Sequence, residues 1–508
     1  MVTAKFLSQQ SSANKNRQLG IHLAQCEAPP KPREAKAGSA VADNSTTSAP
    51  APVLNDDYPN FSRHGPQAAL PKYLTPELYD QLKHKRTSFG VTLEDMIQAG
   101  VSLPWGADPP RGVGGVFAGD AECYKVFASL LQPMIEDYHG VELVDSPNAR
   151  RTKTPGQFMR TRSRPVARNQ TYRGRKLSKL QRHFTNLDPE QILLTQVDPT
   201  GEYILYTRMR LARNLEGFAF APAIARGERR KIENVFKEIV KEDFQPLQGG
   251  QYIPIMSMAN TQHEDFQSRR ICFEDPDEFK IAANLGRDWP DARGVYCAHW
   301  EPGILGRQST SNGDKKKQAD TTASDEDEDA DLYQWEEDPP NVVMWCNYDD
   351  HIWIISVNKG GDVQGVFTAL SDAVRQLELS LLDRNHKFSM DGKLGFLTSS
   401  PTNVGTALRA SMSVKLVRLG REHPALFKEI LERLHLEAKS DYAETDQRYT
   451  GIFDIANAER LGRTEVQWIN IMIKGIAKLI ELEKKLERGE TVTLQDVDNV
   501  VKDVKVVE

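Results

Sequence analysis

Cysteine is scarce in this chain: five among 508 residues, at Cys26, Cys123, Cys272, Cys297 and Cys346, with no CxxC pair. An odd, widely spaced set excludes a disulfide framework and gives no zinc spacing, so no metal site is expected. A reducing, cytoplasmic setting is the simplest reading. Apolar runs of 18 or more residues are also missing, so no membrane span is expected. Acids are missing from two places. The first 26 residues hold none, but a single Arg and a weak apolar face fit a mitochondrial transit peptide poorly. A disordered tail over residues 1–57 is the expectation, because the Pro-, Ala- and Ser-rich stretch that follows has too little apolar surface to order itself. Residues 146–184 carry twelve Lys or Arg and no acid. Such a block cannot fold on itself and draws polyanions, so it is either a solvated linker or a docking arm for an acidic partner. Acidic protein tails, such as those of tubulin, would suit it and would imply a cytoskeletal or flagellar setting. Nucleic acid is the poorer target, since no base-reading motif accompanies the charge.

What is present divides the rest of the chain. Hydrophobic residues make up 39% and charged residues 27%, as in a globular protein with unstructured segments. Over residues 58–145 apolar residues recur at helical spacing, with starts at Thr75-Pro76 and at Thr92, the latter followed by Glu94 and Asp95. This predicts a small all-helical unit, with a Gly-rich loop between its helices. The basic linker 146–186 follows. Residues 187–508 mix strand candidates ("YILYTRMRLAR", "VVMWCNYDDHIWIISVN", "LGFLTSS", "SMSVKLV") with helices such as "DVQGVFTALSDAVRQLELSLLD", which predicts an α+β domain with a mostly antiparallel sheet. An insertion at about 303–340 holds ten acids and no base between Asp320 and Asp338, and is expected to be a disordered loop.

Four segments of the larger domain gather groups that phosphoryl transfer needs. In "TRMRLAR", strand alternation puts Arg208 and Arg210 on one face, where a polyphosphate would satisfy both; surface acids would serve as well. "GRDWPDARG" looks like a rigid turn. "NYDDHIWIIS" sets acids and a His between apolar runs. "SSPTNVGTALRAS" offers a loop whose amides could face an anion, although a tight turn explains it equally well.

Together these segments resemble the phosphagen (ATP:guanidino) kinases, the arginine and creatine kinase family, from about Tyr58 to Gly489. "GRDWPDARG" reads as that family's own motif. "SPTNVGTALRAS" resembles its "CPTN(L)GT..(L/M)RAS" segment, and "NYDDHIWIISVNKGG" resembles "NEEDHLRIISMQKGG". The resemblance implies a guanidino kinase fold: α+β, with a small all-helical N-terminal domain and a larger domain whose antiparallel sheet is flanked by helices. It also implies closure over MgATP and a guanidino substrate. Positioning and charge stabilisation dominate such chemistry.

Carried over by residue, the resemblance makes Arg208, Arg210 and Arg409 nucleotide-binding arginines. Trp353 stands where the family has a fourth, and Lys439 where it has a fifth. Loss of one charged contact to a transferring phosphoryl group typically costs roughly 10²–10³ in rate. Asp349 matches the catalytic Glu with one methylene less, Tyr348 replaces the Glu beside it, and Ser400 replaces a reactive Cys. A misplacement of about 1 Å can itself cost roughly 100-fold. Two pocket histidines correspond to Arg270 and Ser413. The closing loop, "KSDYAETDQ", lacks Gly and so has less hinge freedom. Glu444 in that loop matches a second substrate carboxylate of the arginine-kinase branch, so an arginine-like compound is the expected guanidine. Gly112, Val113 and Gly114 match the loop that meets the substrate's far end. Five changes at one site multiply unless they compensate. The expected function is a guanidino phosphotransferase fold with weakened or lost transfer, reused as a binding or structural module. The alternative is an active arginine-kinase-like enzyme using MgATP.

Overall fold

The computed structural model describes residues 57–61, 69–102, 115–143, 171–172, 175–176, 185–243, 250–268, 270–298, 341–440 and 450–505. The expected tail lies outside them except for Asp57. So do Gly112, Val113, Gly114, Glu444 and the acidic insertion. Of residues 146–184, only the paired two-residue strands Thr171–Tyr172 and Arg175–Lys176 are described.

The N-terminal unit is helical: α1 (Ala69–Tyr73), α2 (Pro76–Leu82), α3 (Leu93–Ser102), α4 (Cys123–Val126) and α5 (Ala128–His139). Thr75 caps α2 by accepting the Leu78 amide at 3.2 Å. At the start of α3, Thr92 and Asp95 cap reciprocally: Thr92 Oγ1 accepts the Asp95 amide (3.2 Å) and Asp95 Oδ2 accepts the Thr92 amide (2.9 Å). Gly140 ends α5 in the left-handed region, φ 61°.

The larger domain is built on one eight-stranded antiparallel sheet. Its strands are β1 (Ile204–Arg213), β2 (Gln251–Pro254), β3 (Gly294–Cys297), β4 (Val342–Cys346), β5 (Ile352–Lys359), β6 (Leu408–Lys415), β7 (Leu436–Ser440) and β8 (Ile452–Asn457). They run in the order β7-β8-β6-β1-β5-β4-β3-β2. Helices α6 (Arg226–Glu242), α7 (Asn260–Ser268), α8 (Glu278–Ala282), α9 (Val363–Asp383), α10 (Val417–Glu422), α11 (Pro424–Arg433), α12 (Glu465–Glu487) and α13 (Leu494–Lys505) surround it. α9 packs on β5 and β1, and α12 packs on β6 and β8. Alternation sorts the strands: Met209, Leu211, Ile354, Ala410 and Met412 face this helical layer and form the main core. The opposite face carries the polar residues of interest.

The stretch "LGFLTSS" departs from the expected strand. Only Gly395–Phe396 pairs, with Met390–Asp391. Beyond it the backbone is held by the helical unit instead: Ala118 N–H donates to the Ser399 carbonyl (2.7 Å) and the Tyr124 hydroxyl to that of Thr398 (2.8 Å). Leu394, Leu397, Val404 and Leu461 join the small domain's own core, so the two domains share a packed seam. No described helix is long and apolar enough to cross a membrane.

Candidate active site

Register decides which side chains meet. Arg210 lies opposite Arg409 on β6 and Ile355 on β5, while Arg208 lies opposite Ser411 and Val357. The same face extends to Lys439 and Asp454, register partners on β7 and β8. A cleft of about 470 Å³ opens over this face. Six cationic side chains line it (Arg208, Arg210, Arg270, Arg409, Lys439, Arg460) against three acidic ones (Glu274, Asp349, Asp454), so it favours an anion.

The cations are not equivalent. Arg409 Nη2 donates to Asp454 Oδ2 at 2.9 Å, and its Nε lies 3.5 Å from Glu437. Burial works against this charge, but the two carboxylates outweigh it and hold the pKa above the ordinary value. Arg208 and Arg210 make no ion pair among the described residues. Burial first, then Arg270, pulls Arg208 down to about 10; burial first, then Arg409 and Arg208, pulls Arg210 down to about 9. Both stay protonated at neutral pH. Their mutual repulsion is what a bound polyanion would relieve.

Trp353 lies opposite Ala212 on β1 and Trp345 on β4. It is 7% exposed. Arg210 sits 5.3 Å from its ring centroid, and Arg208 sits 5.8 Å from that of Trp345. Phe273 meets Trp345 edge-on at 5.5 Å and stacks on Tyr348 at 4.6 Å. One half of the cleft is thus an aromatic wall, joined to Phe266, Ile271, Val295 and Val343 beneath. Cation–π contact gives the two arginines about 0.5–2 kcal/mol each of the stabilisation that a fourth arginine would have removed.

The turn between β4 and β5 divides its polar residues by task. Asn347 Nδ2 donates to the carbonyls of Arg229 (3.0 Å) and Ala292 (2.8 Å). Asp350 Oδ1 accepts from Asn214 Nδ2 (2.7 Å) and from the Ser399 amide (2.6 Å). His351 Nδ1 accepts the Leu215 amide (3.0 Å), which leaves Nε2–H to donate to the Ala219 carbonyl (2.9 Å). Burial pushes His351 down to about 4, so it is neutral and structural. These three brace the turn, and Asp349 is left facing the cleft with no hydrogen-bond partner among the described residues. Burial raises its pKa, opposed by Lys280 and Arg210.

Ser400 sits on the loop braced by the helical unit. Its hydroxyl pairs with Thr402 Oγ1 at 2.8 Å. Three of the following amides are taken by nearby carbonyls: Asn403 N donates to that of Ser400 (3.0 Å), Gly405 N to that of Phe396 (3.3 Å) and Thr406 N to that of Arg460 (2.8 Å). The stretch is a tight turn, and its Asn403 lines the cleft. Gly405 has φ +106°, and a Cβ there would stand 2.2 Å from the Arg460 carbonyl oxygen, so the turn requires glycine.

Comparison with known proteins agrees with this layout. Residues 66–136 match the family ATP:guanido phosphotransferase, N-terminal domain, and residues 324–486 match ATP:guanido phosphotransferase, C-terminal catalytic domain. Creatine kinase B-type of Gallus gallus is 30% identical over 441 residues, spanning 86% of this chain and 94% of that one. Arginine kinase of Stichopus japonicus is 30% identical over 440 residues, spanning 86% and 95%. The chain belongs to the phosphagen kinase family. The crystal structure of a lombricine kinase shares the fold, with TM-score 0.64 and 24% identity over 89% of this chain and 99% of that one.

Within this phosphagen kinase, Arg208, Arg210, Arg409, Lys439, Trp353 and Asp349 all line one cleft, with Arg270. Ser400 stands beside it, on the loop that contributes Asn403. "GRDWPDARG" forms the rigid turn expected, but its acids serve scaffolding: Asp288 accepts from Arg229 (3.0 Å), and Asp291 bridges Arg226 (2.7 Å) and Arg230 (3.0 Å). Sequence reasoning missed Asp454, Glu437 and Arg460. A lone acid alternating with apolar residues in "IFDIAN" was a usable signal for Asp454. Nothing local marks Arg460, whose backbone N–H donates to His139 (3.3 Å) of the helical unit.

Proposed function

We propose that this phosphagen kinase keeps a cleft for a polyphosphate nucleotide but transfers the phosphoryl group weakly or not at all, and works as a binding module. Trp353 carries this reading. A neutral indole, 7% exposed and packed against Arg210, stands where the family resemblance places a phosphate-binding arginine. A missing charged contact typically removes roughly 10²–10³ in rate, and the shorter acid at Asp349 roughly 100-fold more. Arg409, already held by Asp454 and Glu437, has less charge to lend. ATP and ADP are the ligands this cleft suits, because Arg208 and Arg210 lack counter-ions among the described residues. Among those residues no group of three His, Cys, Asp or Glu could hold a metal ion alone, so Mg²⁺ would enter on the nucleotide.

The wider role belongs to the same proposal. The Arg-rich segment 146–184 docks an acidic protein surface, tubulin tails being one example, and so places the module on a cytoskeletal or flagellar structure. Its charge supports this: twelve Lys or Arg and no acid. Deleting it should release the protein from such a surface, and unchanged localisation would return the segment to the status of a linker.

A second reading, an active arginine-kinase-like enzyme, is favoured by one observation: Arg208, Arg210, Arg409 and Asp349 still converge on a single cleft. A coupled kinase assay with arginine, creatine and related guanidines, run beside calorimetric MgATP titration, separates the two. Nucleotide binding without turnover is expected. Turnover at ordinary kinase rates, about 1–100 s⁻¹, would sink the proposal. A combined Asp349→Glu, Trp353→Arg, Ser400→Cys variant that gains transfer would locate the loss at these positions.

A further inference from the structure

A cation of the chain itself stands against Tyr348, the residue that precedes Asp349 and lines the cleft with it. Lys280 lies on α8, whose first turn is capped by Asp277 Oδ1 accepting the Lys280 amide at 2.7 Å. Its ammonium donates a hydrogen bond to the Tyr348 hydroxyl and lies 4.3 Å from the centroid of the same ring. Tyr348 is fixed in turn, stacked on Phe273 at 4.6 Å and edge-on to Trp345 at 5.3 Å, and it directly precedes Asp349. The helix that carries Lys280 is clamped by the helical domain. Phe117 packs against Phe279 at 5.6 Å, Asn284 Nδ2 donates to Gln98 at 3.3 Å, and Ala99, Ala283 and Leu285 share a small core. The ammonium is therefore placed by packing, not left on a free tether.

From this we infer that Lys280, held against Tyr348, is a specificity-determining residue: an internal cation that disfavours a guanidinium at Asp349, so that the cleft takes its anionic ligand alone. The inference rests on the reading of the cleft as a nucleotide site and adds what that site refuses. Three points support it. Tyr348 offers no second carboxylate to a guanidinium, and its neutral hydroxyl accepts a hydrogen bond from the Lys280 ammonium instead. Lys280 is the charge that most favours the ionised form of Asp349, ahead of Arg210, against the effect of burial. An incoming guanidinium at Asp349 would meet the like charge of both Lys280 and Arg210. Asp277 and Glu274 lie nearby and soften that repulsion without cancelling it. Repulsion against the wrong ligand is a common route to selectivity.

The test is calorimetric titration of L-arginine into the full-length protein and into Lys280→Met, Lys280→Gln and Lys280→Arg, with MgATP titrated into the parent protein in parallel. Lys280 is only partly buried, so the neutral variants should fold, and the Gln variant stands in if the Met variant does not. Removing this unit charge should tighten arginine binding by about tenfold in both neutral variants. Lys280→Arg should behave as the parent does. Arginine binding no tighter in the neutral variants than in the parent, or absent from all, overturns the inference. Failure of MgATP to bind the parent would instead count against the nucleotide reading, and would leave the arginine comparison to decide the role of Lys280.

Discussion

Replacing Trp353 by Arg restores the residue type that the family resemblance assigns to that position, and the structure indicates how the protein will respond before any ligand is added. The new guanidinium would stand near Arg210, which now lies 5.3 Å from the Trp353 ring centroid. At that separation and an effective dielectric constant near 20, two unit charges repel by about 3 kcal/mol. The variant also loses a buried aromatic side chain, a change that typically costs about 3–5 kcal/mol, although the arginine stem recovers part of it. Trp353→Arg should therefore be less stable without ligand by at least about 3 kcal/mol, a fall of several degrees in melting temperature. A polyphosphate reverses the sign of the Coulomb contribution, because it stands between the like charges. The rise in melting temperature on adding MgATP should then be larger for the variant than for the parent, through ordinary ligand linkage. Differential scanning calorimetry of both proteins, with and without MgATP, provides the comparison. An equal fall in both conditions would mean that position 353 does not face the nucleotide. No fall in either would mean that Arg210 is not under the strain described.

Two further predictions concern the scaffold. Burial raises Asp350 from the ordinary 3.8 to about 7, so between those values the folded protein holds a proton that the unfolded chain releases, and stability drains as pH rises through that window, by up to about 4 kcal/mol. Asp350→Asn removes this loss while its Oδ1 still accepts from Asn214 and Ser399. The variant should gain on the parent between pH 4 and pH 7 in urea melts; the buried histidines titrate alike in both and drop out of the difference, so a pH-independent difference would refute the assignment. Arg213 and Glu465, with side chains 1% and 0% exposed, stand 3.9 Å apart. Glu465→Gln should cost about 3–5 kcal/mol by leaving Arg213 buried without its counter-charge, and adding Arg213→Met should restore most of that. Additive losses in the double variant would show that the two do not act as a pair.

The fold was legible because its signals are local. Thr75 and Thr92 announce their helices, Gly140 ends one, and the alternation in "YILYTRMRLAR" separates the face of Met209 and Leu211 from that of Arg208 and Arg210. "LGFLTSS" misled for the opposite reason: its carbonyls are claimed by Ala118 and Tyr124, some 280 residues earlier in the chain, and no pattern within seven residues records that. The site shows the same division. Arg208, Arg210, Arg409 and Asp349 could be named from motifs, but whether each carries usable charge depends on which side chains pack around it. Arg409 meets Asp454 and Glu437, whereas Arg208 and Arg210 meet tryptophans. Lys280 could not be singled out at all, since its place beside Tyr348 depends on packing of the helical domain against α8. The substitutions at Trp353 and Tyr348 therefore have a common physical consequence. By the family resemblance each stands in place of a charge, and in each case a neighbouring cation, Arg210 or Lys280, lies against the ring. A site organised in this way can still hold an anion. On the proposed reading, it lacks the alternation of charge that would press a guanidinium and a phosphoryl group together.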